Sequence, residues 1–552
     1  MAIEPKTNQD IHFLIIEVLG QVTTTELYLN SFDQIYGLRV LEREGYIDNL
    51  KVTVENSYFS LILTEPERGQ NEVNRARAVH VISTNLQQIS GFSVNIVRQV
   101  EYLFDRSLWL TFDACSMFDT IKNCLEQILP ALDDKDIGLA LSICNCEYEI
   151  DRLYLKNFQR IMAELRDGVS IESYITILFI FRYMERIGDA LLKIGEAILF
   201  AILGEKIRIR QFEALQQTLA KSDMDISMDR LSLHSYWGTR SGCNISKVAN
   251  EPSSVATGPA KQAIFKTGSL KKIEQEKENL DRWQKVAPGL APKVLTFHQE
   301  DEKTGALLVE FFSGNNFQEI VLGDNSDLAD KALTALQRLL GEKIWPATKK
   351  IGAGETSYMD QVLKRLDSIL QVHSYLRRQQ TLGDLEVDST ATLVEKCMRI
   401  ERLLPAPFSV FIHGDFNANN IIYNEKKDTI HFIDVHRSMS ADYIQDVAVF
   451  LISNFRLPVF EPPVRDQINM AIRNFYGFAE KFAHEHNDAT FDVRLALALA
   501  RSFYTSTRFQ LNSEFVKEMV MRANFLLEKV IVFNEGQQNW QAFVFPEEVL
   551  YL

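Results

Sequence analysis

The residues best suited to chemistry stand close together in His413-Gly-Asp415-Phe-Asn-Ala-Asn-Asn420, and Asp434 follows them. Asp415 could orient an attacking hydroxyl group and accept its proton, which is the main task that phosphoryl transfer gives to a side chain. Asn420, at the far end of the same loop, offers the kind of oxygen ligand that magnesium prefers. A hairpin predicted at Asn424–Asp428 should return Asp434 beside Asn420. The spacing therefore predicts a site for phosphoryl transfer.

This segment resembles the catalytic and metal loops of the aminoglycoside-phosphotransferase and choline-kinase-like family, whose HGDxxxxN motif and following I-D strand end occur here in order. The resemblance implies that His413 and Asp415 are catalytic, with Asp415 as the base, and that Asn420 and Asp434 bind Mg²⁺. It also implies ATP as the phosphoryl donor and a small hydroxylated compound as the acceptor. Asp446 resembles a later aspartate that braces the catalytic loop. A chance turn in an ordinary hairpin is the alternative, and several spaced elements argue against it.

Two charged residues could bind the nucleotide from the preceding segment. Lys266 lies on a predicted strand, Ala263–Gly268, and could pair with the α- and β-phosphates. Glu276 lies on the amphipathic helix that follows, where the family has an E-x-x-x-L phrase, and could hold Lys266 in place. The alternative interpretation is a surface lysine on an edge strand, and Glu274 and Glu278 share the helix with Glu276.

Glycines and an apolar run supply further candidate nucleotide contacts. Gly238 and Gly242, in WGTRSGCNIS, could form a phosphate loop, although the GxGxxG motif is absent and a hairpin without a ligand explains them almost as well. The run VEFFSG, residues Val309–Gly314, resembles the family's hinge, whose backbone groups bind adenine. Glu310 and Phe312 are therefore candidate cofactor-binding residues, and an apolar core strand is the alternative.

A second set of candidate ligands is acidic and lies earlier in the chain. Three pairs of carboxylates stand at positions i and i+4, which puts each pair on one face of a helix. The pairs are Glu44/Asp48, Glu147/Asp151 and Glu185/Asp189. For any single pair, a solvated or salt-bridged face is the simpler explanation. Facing pairs on neighbouring helices could instead hold a metal site.

These pairs, with the segment MERIGDALLKIGEAIL from Met184, resemble PhoU, a phosphate-regulator fold of tandem three-helix bundles with E/D-x-x-x-D metal motifs. The resemblance covers about residues 10–220 and implies phosphate-signalling proteins as partners. The implied ligands, for a transition metal or another divalent cation, are Glu147, Asp151, Glu185 and Asp189. In the first repeat, Gln87 and Gly91 replace the second pair, so a full metal cluster is not expected there.

The elements that must position these residues begin with a helical region. Residues 10–220 contain almost no proline and repeat apolar residues at three- and four-residue steps, which predicts long helices. Similar segments about one hundred residues apart predict tandem three-helix bundles at about 10–105 and 106–220. The first predicted domain is therefore an all-α, PhoU-like region spanning residues 1–222.

The sequence pattern of the remainder of the chain predicts an α+β domain. After residue 220, glycine, serine and short alternating runs replace the helical pattern, and they precede strand candidates and then further helices. The resemblance to the kinase family implies a two-lobed, protein-kinase-like fold over residues 223–552. Its small lobe should span about 230–312 and its helical lobe about 313–552.

Composition narrows the function classes. A chain of 552 residues is too long for one hydrophobic core, and its net charge of −15 argues against sequence-independent nucleic-acid binding and favours cationic or polar partners. Six thinly spread cysteines suggest free thiols in a reducing compartment. The amino terminus lacks the features of a signal peptide, and the apolar stretch Tyr174–Phe181 is too short to span a bilayer. A cytoplasmic protein without a transmembrane segment is expected.

Two functions fit this organisation. The first is an active ATP-dependent small-molecule kinase with a PhoU-like regulatory or metal-binding domain that links it to phosphate regulation. The second is a non-catalytic, nucleotide-sensing regulator of phosphate uptake or signalling. The retained Asp415, Asn420 and Asp434 favour the first, whereas the missing glycine motif favours the second. A purely structural scaffold would leave the catalytic spacing unexplained.

Overall fold

The computed structural model describes most of the chain, in ranges separated by gaps. The described residues are 4–64, 70–205, 209–222, 231–235, 244–250, 262–354, 356–373, 381–382, 385–386, 388–508, 510, 512–536 and 539–552. The chain forms two compact units, Met1–Thr267 and Gly268–Leu552. The boundary between these units lies inside a strand, and the domain boundary placed after residue 222 stays a prediction.

The first unit is mainly helical. Its described helices are α1 (Glu4–Ser31), α2 (Gln34–Thr64), α3 (Gln70–Val100), α4 (Arg106–Trp109), α5 (Cys115–Asp133), α6 (Ile137–Arg166), α7 (Ile171–Leu203) and α8 (Ile209–Ala220). Helices α1, α2 and α3 pack on one another, as do α5, α6 and α7, and α3 packs along α7. Two three-helix bundles are thus present, as the sequence predicted.

Apolar periodicity explains the core of each bundle, and small residues explain the closest helix contact. On α5, Phe118, Ile121 and Leu125 are spaced to share one face, and all three are buried. On α7, a Cβ at Gly195 would overlap the Sγ atom of Cys144 and approach the carbonyl oxygen of Ala140 to 2.9 Å. The glycine therefore allows α7 to lie directly against α6.

The cysteines differ from the prediction. Cys124 of α5 and Cys146 of α6 are joined by a disulfide bond, so the expectation that all the thiols are free was wrong. Cys115, Cys144 and Cys397 are free, and the last two are buried. Among the residues with described positions, no helix combines the length and the apolar character needed to cross a membrane.

Three strands follow the helices at the end of the first unit. They are β1 (Leu231–Ser235), β2 (Asn244–Asn250) and β3 (Gln262–Ser269), and the boundary between the compact units falls within β3. Strand β2 pairs antiparallel with β1 and with β3, and Ile245 lies opposite Lys266 in the β2–β3 register. The strand predicted around Lys266 is therefore present.

The second unit combines helices with short sheets. Its described helices are α9 (Leu270–Val286), α10 (Phe317–Leu322), α11 (Ser326–Arg338), α12 (Trp345–Thr348), α13 (Tyr358–Val372), α14 (Thr390–Glu401), α15 (Ile444–Phe455), α16 (Pro462–Glu485), α17 (Phe491–Thr507) and α18 (Ser513–Glu535). A π-helical segment, Leu339–Ile344, joins α11 to α12. The sequence had predicted that helices dominate this part of the chain.

The strands of the second unit pair antiparallel. They are β4 (Val294–Gln299), β5 (Thr304–Glu310), β6 (Asn315–Asn316), β7 (Lys350–Gly354), β8 (Thr381–Leu382), β9 (Leu385–Glu386), β10 (Ala406–Ile412), β11 (Ile421–Asn424), β12 (Thr429–Phe432) and β13 (Met439–Ala441). Strand β4 pairs with β5, β10 lies between β7 and β13, and β11 lies between β6 and β12. The two central strands, β10 and β11, flank the predicted catalytic loop.

A buried charge network holds the helices that surround this loop. The Arg494 guanidinium, on α17, bonds to the carboxylates of Asp442 and Asp488. The hydroxyl of Tyr358 donates to Asp442 (3.0 Å) and that of Tyr443 donates to Asp488 (2.8 Å). Because one cation and two hydroxyl donors satisfy both buried carboxylates, α13 and α17 are fixed beside the start of α15.

Candidate active site

The loop after β10 is fixed by a buried carboxylate at the start of α15. The two oxygens of Asp446 accept the backbone N–H groups of His413 (2.7 Å) and Gly414 (2.9 Å). Burial raises the pKa of Asp446 to about 7, and the two N–H donors oppose that rise. The contact gives Asp446 the bracing role that the sequence predicted.

Gly414 brings this loop against the turn that follows β12. Its φ angle is +83°, in the region that residues with a Cβ rarely adopt. A Cβ at this position would overlap the carbonyl group of Arg437, with its carbon only 2.7 Å away. Only glycine therefore allows the two backbone segments to approach this closely.

Asp415 is held on both sides and yet remains accessible. Its Oδ1 atom accepts a hydrogen bond from Asn417 Nδ2 (2.5 Å), and its Oδ2 atom lies 3.3 Å from Arg437 Nη1. The Oδ1 atom of Asn417 in turn accepts from Arg456 Nη2 (3.0 Å). The Asp415 side chain is 21% exposed, so a positioned carboxylate is open to a reacting hydroxyl group.

The hairpin formed by β11 and β12 returns the chain to this loop, as predicted. Ile421 lies opposite Phe432, and the backbone N–H of Ile433 donates to the carbonyl of Asn420 (3.0 Å). Asp434 follows in the left-handed conformation, with a φ of +58°. Residues Asn420 and Asp434 therefore lie on adjacent chain segments.

Asn420 and Asp434 offer oxygen atoms that suit a magnesium ion. The Nδ2 atom of Asn420 donates to the carbonyl of Asp415 (2.9 Å), which leaves its Oδ1 atom as the group able to bind a cation. The Oδ1 atom of Asp434 is bonded to His436 Nδ1 (2.9 Å), an outer contact that orients the carboxylate. An amide oxygen and a carboxylate are hard ligands, so the residues present fit Mg²⁺.

Helix α9 anchors the turn that carries Asp434. The Nδ2 atom of Asn279 donates to the carbonyls of Val435 and His436, both at 3.0 Å. The indole N–H of Trp283, one turn further on, donates to the hydroxyl of Ser438 (2.8 Å). That hydroxyl donates to the carbonyl of His413 (3.1 Å). These side-chain contacts link α9 to both segments that the sequence predicted to be catalytic.

His413 is buried inside this framework, with 1% of its surface exposed. Its Nε2 atom bonds the carbonyl of Ile433 (2.9 Å), and its Nδ1 atom accepts the backbone N–H of Asp415 (3.3 Å). Burial lowers the pKa of His413, which favours the neutral ring. Both ring nitrogens are therefore engaged in joining the loop to the hairpin.

Lys266 and Glu276 are both buried charges, in different compact units. Lys266, on β3, is 6% exposed, and Glu276, on α9, is 4% exposed. Such burial is rare for lysine and glutamate unless they are paired. A surface lysine on an edge strand, the alternative weighed from the sequence, does not match this burial.

The remaining predicted nucleotide contacts lie at the end of β5 or outside the described residues. Glu310 ends β5, and its carboxylate accepts the backbone N–H of Lys293 (3.4 Å). Phe312 stacks on the ring of His431, with centroids 3.9 Å apart. Gly238 and Gly242 lie outside the described residues.

In the first bundle of the helical unit, other side chains contact both carboxylates of the acidic pair Glu44/Asp48. Gln87 Nε2 donates to the Oδ1 atom of Asp48 (2.7 Å), and Arg98 Nη2 lies 3.3 Å from the carboxylate of Glu44. Gln87, which the sequence identified as a departure from the metal motif, therefore bonds the carboxylate that a metal would have used.

In the second bundle, the pKa values of two carboxyl groups, Asp151 and Glu185, are raised. Burial, followed by the charge of Asp189, raises the pKa of Asp151. Burial also raises the pKa of Glu185, which Arg182 opposes and Asp189 and Asp151 reinforce. The Oε1 atom of Glu185 lies 2.5 Å from Arg182, whereas its Oε2 atom is buried without a hydrogen-bond partner.

These carboxylates do not form the predicted four-ligand cluster. Within the described part of the chain, no group of three or more histidine, cysteine, aspartate or glutamate side chains has the arrangement needed to hold a metal ion. The fourth predicted ligand, Glu147, lies one turn before Asp151 on α6. The metal assigned to this bundle stays a prediction.

Several residues of the site were missed from the sequence. Asn417 and Arg437 bond Asp415 directly, and both lie inside the motif segments, so their positions could have suggested a role. Arg365, on α13, and Arg501, on α17, interact electrostatically with Asp415. These two lie far from the motif in sequence, and no local pattern marks them.

Comparison with known proteins agrees with the two resemblances. A family model described as the phosphotransferase enzyme family, APH, matches residues 255–481, and a model of the PhoU domain matches residues 114–198. A phosphate-specific transport system accessory protein PhoU homolog of Clostridium acetobutylicum is 19% identical over 206 residues, which is 36% of this chain and 94% of that protein.

Two solved structures are similar to separate parts of the chain. The phosphate transport system regulatory protein PhoU of Streptococcus pneumoniae is 19% identical, with a TM-score of 0.34. The match covers 37% of this chain and 96% of the PhoU chain. The aminoglycoside phosphotransferase APH(4)-Ia is 14% identical, with a TM-score of 0.37. The match covers 58% of this chain and 98% of the APH(4)-Ia chain. The family models and the described fold together show a PhoU domain followed by an APH phosphotransferase domain.

Proposed function

We propose that this protein, in which a PhoU domain precedes an APH phosphotransferase domain, is an ATP-dependent kinase that phosphorylates a small hydroxylated compound. The observation that carries the proposal is the Asp415 carboxylate, which Asn417 and Arg437 orient while part of it stays exposed. A domain that only bound nucleotide would have no need for an accessible carboxylate beside its metal ligands.

The proposed reaction moves one phosphoryl group and one proton. As the acceptor oxygen forms its bond to the γ-phosphorus of ATP, its proton passes to the carboxylate of Asp415. The bond from the γ-phosphorus to the oxygen that bridges it to the β-phosphorus breaks, and ADP leaves with that electron pair. Products are the phosphate ester and ADP, and Asp415 then releases its proton to solvent. The backbone bonds from Asp446 to the loop keep Asp415 in place throughout.

Binding of ATP and Mg²⁺ is assigned to residues around the hairpin. Asn420 and Asp434 would hold Mg²⁺, which neutralises phosphate charge when bound. Lys266 is assigned to the α- and β-phosphates and Glu276 to holding Lys266 in place, and the hinge at Glu310 and Phe312 is assigned to adenine. The assignment of Gly238 and Gly242 to a phosphate loop remains part of the proposal.

His413 is proposed as a positioning residue, in place of a catalytic one. Its ring is buried and joins the backbone of Ile433 to that of Asp415. A ring with both nitrogens engaged and almost no exposed surface cannot reach substrate, so its contribution to rate would come through the geometry of the loop.

The helical unit is proposed to regulate the kinase in response to phosphate status, through phosphate-signalling proteins. The PhoU domain match at residues 114–198 supports this assignment. Burial and the charge of Asp189 raise the pKa of Asp151 and of Glu185, which supports a cation as one ligand of the second bundle, because bound positive charge would stabilise these carboxylates. Use of ATP as donor agrees with a cytoplasmic protein.

Turnover of MgATP by the purified full-length protein tests this function. ADP release would be followed for a panel of small hydroxylated compounds, and phosphorus NMR would identify the ester. An acceptor-dependent ADP signal that disappears in Asp415→Ala is the expected result. Tight ATP binding without ADP release for any acceptor would favour the nucleotide-sensing regulator.

A further inference from the structure

Three arginines act on the charge of Asp415, and two of them come from the long helices α13 and α17. Arg437 lies 3.3 Å from its Oδ2 atom, and Arg365 and Arg501 interact with it electrostatically. Arg508, at the end of α17, acts on the charge of Arg365. The carboxylates that oppose them are Asp415 itself and Asp446, whose oxygens already accept two backbone N–H groups. Positive charge is therefore in excess at this position.

Arg501 is the most unusual of these cations. It is 6% exposed, and its Nε and Nη2 atoms are buried without a hydrogen-bond partner among the described residues. Its guanidinium carbon lies 5.7 Å from the centre of the Tyr358 ring, a contact that provides no hydrogen-bond acceptor for Nε and Nη2. Buried donors of this kind are normally bonded, so these N–H groups are available to a ligand, an ion or a water molecule.

Arg365, which is only partly buried, is a second cation of this region. It lies on α13, which packs against α17, and it makes no hydrogen bond or ion pair with the described residues. Burial, followed by the charge of Arg437, lowers the pKa of Arg365, and Arg508 adds to the effect. Burial also lowers the pKa of Arg501, to about 10, with Arg365 acting in the same direction. Both cations would gain from a nearby anion.

We propose that the phosphoryl acceptor is an anion, a compound with a hydroxyl group and a carboxylate or phosphate group, and that Arg365 and Arg501 bind its charged group. This inference rests on the proposed kinase function, since it places the acceptor hydroxyl at Asp415. Guanidinium groups recognise both carboxylates and phosphates through paired hydrogen bonds. The reaction is the one described above, with the acceptor's charged group unchanged by it.

The position of the two arginines favours the acceptor over the nucleotide. They come from α13 and α17, and both interact with Asp415, whereas Asp434 is bonded to His436 in the hairpin. A base must lie beside the hydroxyl that it deprotonates. Cations next to that base, and on the side of the long helices, are placed to bind the rest of the acceptor.

The test measures phosphoryl transfer by the full-length protein to compounds that differ only in charge. Glycerate carries a carboxylate, glycerol 3-phosphate carries a phosphate, glycerol is neutral and ethanolamine is cationic. ADP release with MgATP would be followed for each, together with calorimetric binding of each compound in the presence of a non-hydrolysable ATP analogue. Preference for glycerate or for glycerol 3-phosphate separates the two kinds of anion.

Variants of Arg365 and Arg501 test whether these two residues bind the anionic group of the acceptor. Arg365→Ala and Arg501→Lys should raise the KM or the Kd for the anionic compounds by about 10- to 100-fold, the loss expected for a charged hydrogen-bonded pair. Arg365→Lys should recover part of that loss. The matched control is Arg399→Ala, an exposed arginine on α14, which should change neither value. Because Arg365 is only partly buried, its variants keep the test valid if Arg501→Lys fails to fold.

Each outcome decides the proposal. Equal or better use of glycerol or ethanolamine would overturn it while leaving the kinase function intact. An equal loss of affinity for the ATP analogue in the arginine variants would assign these cations to the nucleotide and also overturn it. Anion binding that depends on Arg365, without ADP release, would support the anion site and refute the kinase function. Absence of both binding and turnover for every anion would refute the inference.

Discussion

Both units of the molecule bring carboxylates together, but they treat the charges differently. In the second unit, the oxygens of Asp446 accept backbone N–H groups, and those of Asp415 accept a hydrogen bond from Asn417 and form an ion pair with Arg437. In the first unit, burial and the charge of Asp189 raise the pKa of both Asp151 and Glu185, and Arg182 opposes the rise.

The difference shows how a carboxylate cluster can be recognised as part of a site. A loop can direct its own N–H groups toward a carboxylate, because its backbone donors are not used within a helix. Helical backbone donors are already bonded, so carboxylates packed between helices, as in the second bundle, depend on side chains or on a cation from outside. The loop cluster is complete by itself, whereas the helical cluster of the second bundle is not.

The largest expected effect comes from removing the base of the complete cluster. Asp415→Ala should lower kcat by about 10²- to 10⁴-fold, because the acceptor hydroxyl would lose the group that orients it and accepts its proton. Affinity for MgATP should stay close to the wild-type value, as measured by calorimetry. Asp428→Asn, which alters an exposed carboxylate in the neighbouring hairpin, is the control and should retain activity. Wild-type turnover by Asp415→Ala would remove this residue from the chemistry.

The next effect tests whether the loop geometry itself is required. Gly414→Ala should destabilise the second unit by about 3 kcal/mol, because a Cβ would be forced into the carbonyl of Arg437 at a positive φ. Gly477→Ala is the matched control. It lies inside α16 with open space around it, and it should stabilise the protein by about 0.5–1 kcal/mol. Chemical denaturation measures both changes, and equal effects of the two variants would contradict the predicted clash.

A smaller effect is expected on nucleotide binding when the proposed magnesium ligand Asp434 is changed. Asp434→Asn should weaken nucleotide binding in the presence of Mg²⁺ by about 10-fold, or about 1.4 kcal/mol, because a neutral amide replaces the charged ligand. Binding of ATP without metal should change much less. Calorimetry with and without Mg²⁺ makes the comparison, and equal losses under both conditions would show that Asp434 does not bind the metal.

The smallest effect concerns the incomplete cluster of the helical unit. Asp189→Asn should raise the free energy of unfolding by about 0.3–0.5 kcal/mol at pH 7, since it removes a like charge from Asp151 and Glu185. Asp48→Asn, at the equivalent acidic pair of the first bundle, should give no gain, because Gln87 donates to that carboxylate. Hydrogen exchange of peptides from the two bundles in the full-length protein measures each change.

The gain in the free energy of unfolding from Asp189→Asn should depend on pH. Folding raises the pKa of Asp151 and of Glu185. Stability from these groups is therefore fully present below their unfolded pKa, near 4, and is lost as the pH rises through the raised values. The advantage of Asp189→Asn should be largest at pH 7 and should shrink toward pH 4. A gain that did not vary with pH would show that charge repulsion is not its cause.

The sequence by itself determined the features that depend on neighbouring residues. Apolar periodicity gave the two three-helix bundles, because a helix must bury one continuous face. The motif from His413 to Asn420, with Asp434 after a short hairpin, gave the geometry of the catalytic segments, because a tight hairpin leaves few paths for the chain. Gln87 already marked the first bundle as an unsuitable metal site.

Only the tertiary structure decided the features that depend on distant residues. The burial of His413 follows from packing that the motif does not show, and it changes the proposed role from catalysis to positioning. The disulfide of Cys124 and Cys146 required α5 and α6 to be adjacent. Arg365 and Arg501 come from separate helices, and a net charge of −15 gave no sign of a local excess of positive charge. Electrostatic contacts act through space, so a sequence pattern reveals them only when the partners are also close along the chain.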